Sequence, residues 1–164
     1  VQSTDVLDRL TNVAVPLICC EPALFDDLRM TGPTWMSDMG DVDAQKTIQI
    51  TAPTHPLAGG LTGLTSVVSA DSRFVWGVPA AAATKVATIA GQANHAAIFA
   101  YEKAVSRVGM TAPERRVGWF ANRAVPAQLN ENGWQRFEAA VSWAAQLPTV
   151  ASTSTVEFVD MLSA

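Results

Sequence analysis

The feature that most constrains this chain is an apolar run, residues 14–20, that stops at Glu21-Pro22. An apolar run of about 4–8 residues between breakers reads as a buried strand of the kind found in parallel sheets. Pro22 lacks an N–H and cannot extend a central strand. The strand therefore ends with two thiols, Cys19 and Cys20, and a carboxylate, Glu21, where the chain turns. In open parallel α/β sheets, ligands bind at the carboxyl ends of strands, so this turn is the first candidate site. Neighbours on a strand point to opposite faces, which separates Cys19 from Cys20 and argues against a disulfide between them.

The rest of the chain alternates turn signals with short periodic segments. Residues 3–12 read as a short helix with an acidic first turn, from Asp5 and Asp8. Leu24, Phe25 and Leu28 suggest a helical turn, and residues 31–43 a loop anchored by Trp35 and Met36. Strands are expected at 46–50, 65–69, 73–76, 85–89, 96–101 and 116–120. Asn130 caps the surest helix, which carries Trp134, Phe137, Val141 and Leu147 on one face and ends at Pro148. One domain over 1–148 is followed by a Ser/Thr linker and tail, 149–164.

Composition narrows the partners. Hydrophobic residues make up 49% and charged residues 16%, as in a globular chain. The net charge of −4 argues against nucleic acid. No apolar stretch reaches about 18 residues, so no membrane span is expected. What remains is a small polar ligand or substrate.

Several side chains are candidates for chemistry. Cys20 is a candidate nucleophile, activated by His55 or His95; the competing reading is a buried, inert thiol. Glu21 is either a general base or ligand-binding carboxylate, or a group that accepts backbone N–H bonds and holds the turn. Asp26 and Asp27 with Glu21 are either metal ligands or, for the aspartates, the exposed side of a short helix; the three are spaced too openly for an oxygen-only site, and neither metal nor cofactor is expected. His55 precedes Pro56 and is held extended, free to face the strand-end site. His95 is expected in a turn at the start of a strand, which places it at the opposite end of the sheet if that strand is parallel. Tyr101 and Glu102 close an apolar strand, and Arg115 and Arg116 are candidates for an anionic or sugar ligand. Trp35 is suited to stacking on a pyranose face if it is exposed, and to core packing if it is not.

The segments VPLICCEPALFDD, THPLAGGL, HAAIFAYEK with GMTAPERRVGWF, and NGWQRFEAAVSWA, in that order, resemble the ThuA-like branch of the class I glutamine amidotransferase-like superfamily. The resemblance spans about residues 5–146. It implies an α/β fold, flavodoxin-like or amidotransferase-like, with a mostly parallel sheet flanked by helices and an antiparallel extension. Amidotransferases carry their nucleophile in a Gly-x-Cys-x-Gly elbow. Here Glu21 falls at or beside that position, Cys20 comes one residue early, and no Gly flanks either. The resemblance therefore implies a ligand-binding or accessory domain with Asp26, Trp35, Tyr101, Glu102 and Arg116 as ligand contacts. The alternative is a small amide, ester or lactone hydrolase using Cys20 or Glu21 with His55. The one or two βα units that open such domains are absent before residue 3. That implies a homo-oligomer, part of a larger chain, or a sheet edge repaired by the tail at 156–162.

Overall fold

The apolar run builds β1 (Leu17–Cys19), an end strand of an eight-stranded sheet in a computed structural model that describes residues 3–147. Ahead of it lie a four-residue helix, α1 (Ser3–Val6), and a 3-10 turn, Leu7–Leu10, in place of the single longer helix expected there. The remaining strands are β2 (Met39–Gln45), β3 (Thr47–Ile50), β4 (Leu64–Ser66), β5 (Ser72–Gly77), β6 (Thr84–Ile89), β7 (Gln92–Tyr101) and β8 (Arg116–Trp119). The helix α2 (Glu131–Ala144) follows, with Gly133 N–H donating to Asn130 Oδ1 at 3.0 Å as the expected cap.

The strand order is β1-β8-β7-β6-β3-β4, with β5 joined to β7 at Gly77 and Ala96 and β2 paired to β5. This is a mixed α/β chain with much strand and little helix. The expected mostly parallel sheet is not what forms: β1 and β8 are parallel, and every other named pair is antiparallel. The connections explain it. A parallel crossover needs a dozen or more residues, usually helical. Residues 90–91 alone join β6 to β7, which permits only a hairpin. Residues 102–115 join β7 to β8 without a helix. The expected loop over 31–43 contains the start of β2, whose Gly40, Asp41 and Asp43 are residue types depleted in strands.

Two cores cover the two faces of the sheet. One lies under α2 and joins Ile48, Leu57, Val86, Ile98, Val117, Trp119, Ala140 and Trp143. The other joins Cys19, Phe25, Leu28, Met30, Phe99 and Tyr101. Cys19 belongs to the second and Cys20 packs against the first, so the adjacent thiols do face opposite ways. The buried stripe of α2 is Gly133, Arg136, Ala140, Trp143 and Ala144. It is displaced from the expected one: Trp134 and Val141 are exposed, and Phe137 is half-buried. Gly133, Ala140 and Ala144 let the helix lie close on the sheet between the buried Arg136 and Trp143, while Trp134 and Val141 fall to its flank. Among the described residues no helix is long and apolar enough to cross a membrane. The linker and tail expected from 149 onward lie outside the described residues.

Candidate functional site

The THPLAGG segment folds as its residues dictate. His55 is extended, with φ −71° and ψ 139°, as the residue before a proline must be. Pro56 opens a 3-10 turn, Pro56–Ala58, and Gly59 closes it with a left-handed φ of 46°. Leu57 N–H donates to His55 Nδ1 at 3.2 Å, so the imidazole caps its own turn. The turn is held by α2: Gln135 Nε2 donates to Gly59 O at 2.9 Å and Arg136 Nη1 to Leu57 O at 3.1 Å.

Two turns of α2 further on, Trp143 brings three elements together. The His55 ring lies 5.4 Å from it, tilted by 52°. The Arg115 guanidinium carbon stands 4.5 Å from its ring centroid, and Arg115 Nη1 donates to Trp143 O at 2.6 Å. Arg115 Nε donates to Glu102 Oε2 at 2.7 Å. Around these groups opens a cleft of about 950 Å³, lined among others by His55, Pro56, Glu102, Arg115, Glu138 and Trp143.

The cleft has a definite chemical character. An Nδ1 that accepts a hydrogen bond leaves the proton of the neutral ring on Nε2. His55 therefore offers a donor, not a base. Burial lowers its pKa, partly opposed by the Glu102 charge and assisted by Arg115. Two carboxylates, Glu102 and Glu138, outnumber the single guanidinium, which disfavours an anionic guest. Trp143 is 6% exposed and has Arg115 over its ring, so it offers no free face for stacking.

The structure divides the residues singled out in the sequence. His55 and Glu102 meet in the cleft; Cys20 and Glu21 do not line it. β1 and β8 run parallel from the Arg115 end, so Cys20 and Glu21 emerge at the far end of the sheet. Glu21 is exposed, and its Oε1 accepts Ala23 N–H at 3.3 Å, capping the 3-10 turn Pro22–Leu24. Burial pushes the Cys19 thiol up to about 12 and the Cys20 thiol up to about 11, the latter helped by the Glu21 charge. Neither has the low pKa of an activated nucleophile.

Tyr101 and Arg116 are wholly buried and have nothing to offer a ligand. Tyr101 OH donates to Met30 O at 2.5 Å and accepts Ala80 N–H at 2.8 Å. Arg116 donates to Val15 O at 2.7 Å and Val13 O at 2.6 Å, fastening the approach to β1. Arg115, one residue earlier, is the arginine that reaches the cleft. Asp26 lines a separate cleft of about 430 Å³ with Asp8, Asp27 and Arg29. Trp35 is 49% exposed on a tight turn in which Thr34 N–H donates to Asp38 Oδ2 at 2.9 Å. His95 lies within β7, not in a turn before it, and because β7 is antiparallel to β8 it stands at the Cys20 end of the sheet, with its ring stacked 3.6 Å from that of Trp76. Among the described residues, no group of three or more His, Cys, Asp or Glu side chains is placed to hold a metal ion.

Sequence reasoning passed over Gln135, Glu138 and Ser142 as cleft residues. Their i, i+3, i+7 spacing on α2 is a polar stripe beside the apolar one, and it was the available signal. Comparison with family models, with curated proteins and with solved structures gives no match.

Proposed function

We propose that this chain is a binding module for a small, neutral, polyhydroxylated ligand of the carbohydrate class, seated in the His55–Trp143 cleft. One observation carries the reading: the cleft sets two carboxylates beside a guanidinium and an imidazole locked as a donor. Vicinal hydroxyls donate to carboxylates and accept from Arg and imidazole N–H groups. The excess acidic charge turns away sugar acids and phosphates. Pro56, Ala139 and Leu147 supply apolar lining for the ring carbons.

The HPLAGGL turn and the closing helix, two segments that carry the ThuA-like resemblance, both line this cleft. That supports an accessory domain of amidotransferase-like ancestry. The parallel β1–β8 pair with α2 on one face is the part of the sheet such ancestry accounts for. No observation favours the hydrolase alternative. Its Cys20 and Glu21 stand away from His55, and His55 lacks a free lone pair for base catalysis.

Calorimetric titration tests the reading. Neutral mono- and disaccharides are expected to bind, and the corresponding uronic acids to bind at least about tenfold more weakly, the cost of roughly 1.4 kcal/mol. Glu138→Gln removes a carboxylate that the fold does not use and is expected to weaken binding without changing the melting temperature. Tighter binding of the acids would overturn the assignment.

A further inference from the structure

Among the described residues three arginines are buried, and they are held differently. Arg107 donates to the carbonyls of Leu28, Thr11 and Thr111, and Arg116 to those of Val15, Arg115 and Val13. Arg136, on α2, is 0% exposed and donates to Leu57 O from Nη1 at 3.1 Å. Its Nε and Nη2 are buried with no hydrogen-bond partner. That edge of a guanidinium is the one that grips a carboxylate. In Arg73, Nε and Nη2 take the two oxygens of Asp43 at 2.7 and 3.0 Å. Among the described residues no carboxylate does this for Arg136. Burial draws its pKa from 12.5 down to about 10.

Stability does not account for such a residue. A buried charge without a counter-charge destabilises a fold, and N–H groups that lose water without gaining an acceptor add to the cost. Departures of this kind are expected at functional sites.

The Pro56–Ala58 turn is wrapped around this guanidinium. Leu57 O receives Nη1, and Gly59, which closes the turn, lies against Nη2. A Cβ at 59 would stand 2.8 Å from Nη2 and 3.3 Å from Cζ. The amide of the same Leu57 donates to His55 Nδ1, and that bond leaves the ring proton on Nε2. One residue, Leu57, therefore joins the Arg136 guanidinium to the imidazole in the cleft. Gln135 holds the neighbouring Gly59 O, so the Leu57 carbonyl is left to Arg136.

We propose that Arg136 is a positioning residue for the cleft: the turn folds around its guanidinium, and through Leu57 it fixes the orientation and tautomer of the His55 ring. The fold retains an uncompensated charge for the sake of that geometry. That the ring then serves a ligand rests on the carbohydrate reading above. The control of the ring by Arg136 does not.

The experiment separates position from stability. Arg136→Met removes the charge and the donor and leaves an unbranched, adaptable apolar side chain. Arg136→Lys keeps a donor for Leu57 O. NMR shifts of the His55 ring nitrogens are read at about pH 8, where the imidazole is neutral. The melting temperature and the exchange of the Leu57 amide are measured alongside. The unaltered chain and Arg136→Lys are expected to hold the proton on Nε2. Arg136→Met is expected to show both tautomers and a Leu57 amide that exchanges at least about tenfold faster, with a melting temperature equal to or above that of the unaltered chain. A single Nε2–H tautomer in Arg136→Met would overturn the proposal. So would a melting temperature well below that of the unaltered chain, which would make Arg136 a stabilising residue of the fold. Loss of the tautomer in Arg136→Lys as well would also overturn it, because the donor to Leu57 O would not be what sets the ring. Failure of the unaltered chain to bind neutral sugars would overturn the carbohydrate reading and leave this test intact.

Discussion

The Leu57 amide donates to Nδ1 of His55 at 3.2 Å, making the imidazole both the cap of its own turn and a wall of the cleft. The two roles cannot both survive protonation at Nδ1, because the imidazolium has no acceptor to offer.

A pH dependence follows. Burial holds the folded-state pKa of His55 below its ordinary value of 6.5. Between the two values the unfolded chain binds the proton and the folded chain does not, so stability rises with pH there. The contribution is complete above 6.5 and is lost as pH falls through the folded value. His95 shifts in the same direction by burial and adds a part of the same sign. His55→Asn keeps a capping acceptor without a titrating group. Urea midpoints between about pH 5 and 7.5 are expected to depend less on pH in that variant. An unchanged profile would show that His55 does not titrate with folding.

The thiols provide a second check. With Cys19 up at about 12 and Cys20 up at about 11, almost no thiolate exists at neutral pH. Iodoacetamide is expected to label the folded chain at least about a hundredfold more slowly than the unfolded one, since only the thiolate reacts. Rapid labelling of Cys20 alone in the folded state would return it to the list of nucleophiles.

Gly118 and Phe99 face each other across β7 and β8, and a Cβ at 118 would stand 2.2 Å from the Phe99 ring. Gly118→Ala is expected to cost about 1–3 kcal/mol through overpacking. Adding Phe99→Leu should recover at least about 0.5 kcal/mol of that cost, since residues in contact couple. Additive effects in the double variant would mean that the ring is not what reserves the space.

What the sequence disclosed followed from local signals. Asn130 as a cap, Pro56 and Gly59 around a turn, and β-branched runs between Gly and Asp each depend on nearby residues, and each is found in place. Strand direction depends on connection length. The expected strands at 85–89 and 96–101 leave six residues between them, already too few for a parallel crossover, and the structure shortens that join to two. The site was half legible. His55 and Glu102 were identifiable because a turn and a strand end mark them. Arg115 and Arg116 are neighbours in sequence, yet one lines the cleft and the other is wholly buried. Cys20 and Glu21 sit at a strand end that is real, but His55, expected to face it, lies at the other end of β8.

The central claim is that the His55–Trp143 cleft binds a neutral polyhydroxylated ligand, and mapping that ligand's contacts by NMR tests it most directly. The full chain would be titrated with neutral disaccharides while backbone amides and the indole and imidazole N–H signals are followed. Shifts confined to His55, Glu102, Arg115, Glu138 and Trp143, reduced at equal ligand in Glu138→Gln, are the predicted result. Saturating shifts centred on Cys20 and Glu21 or on Trp35, or no saturable shift with any neutral sugar, would contradict it.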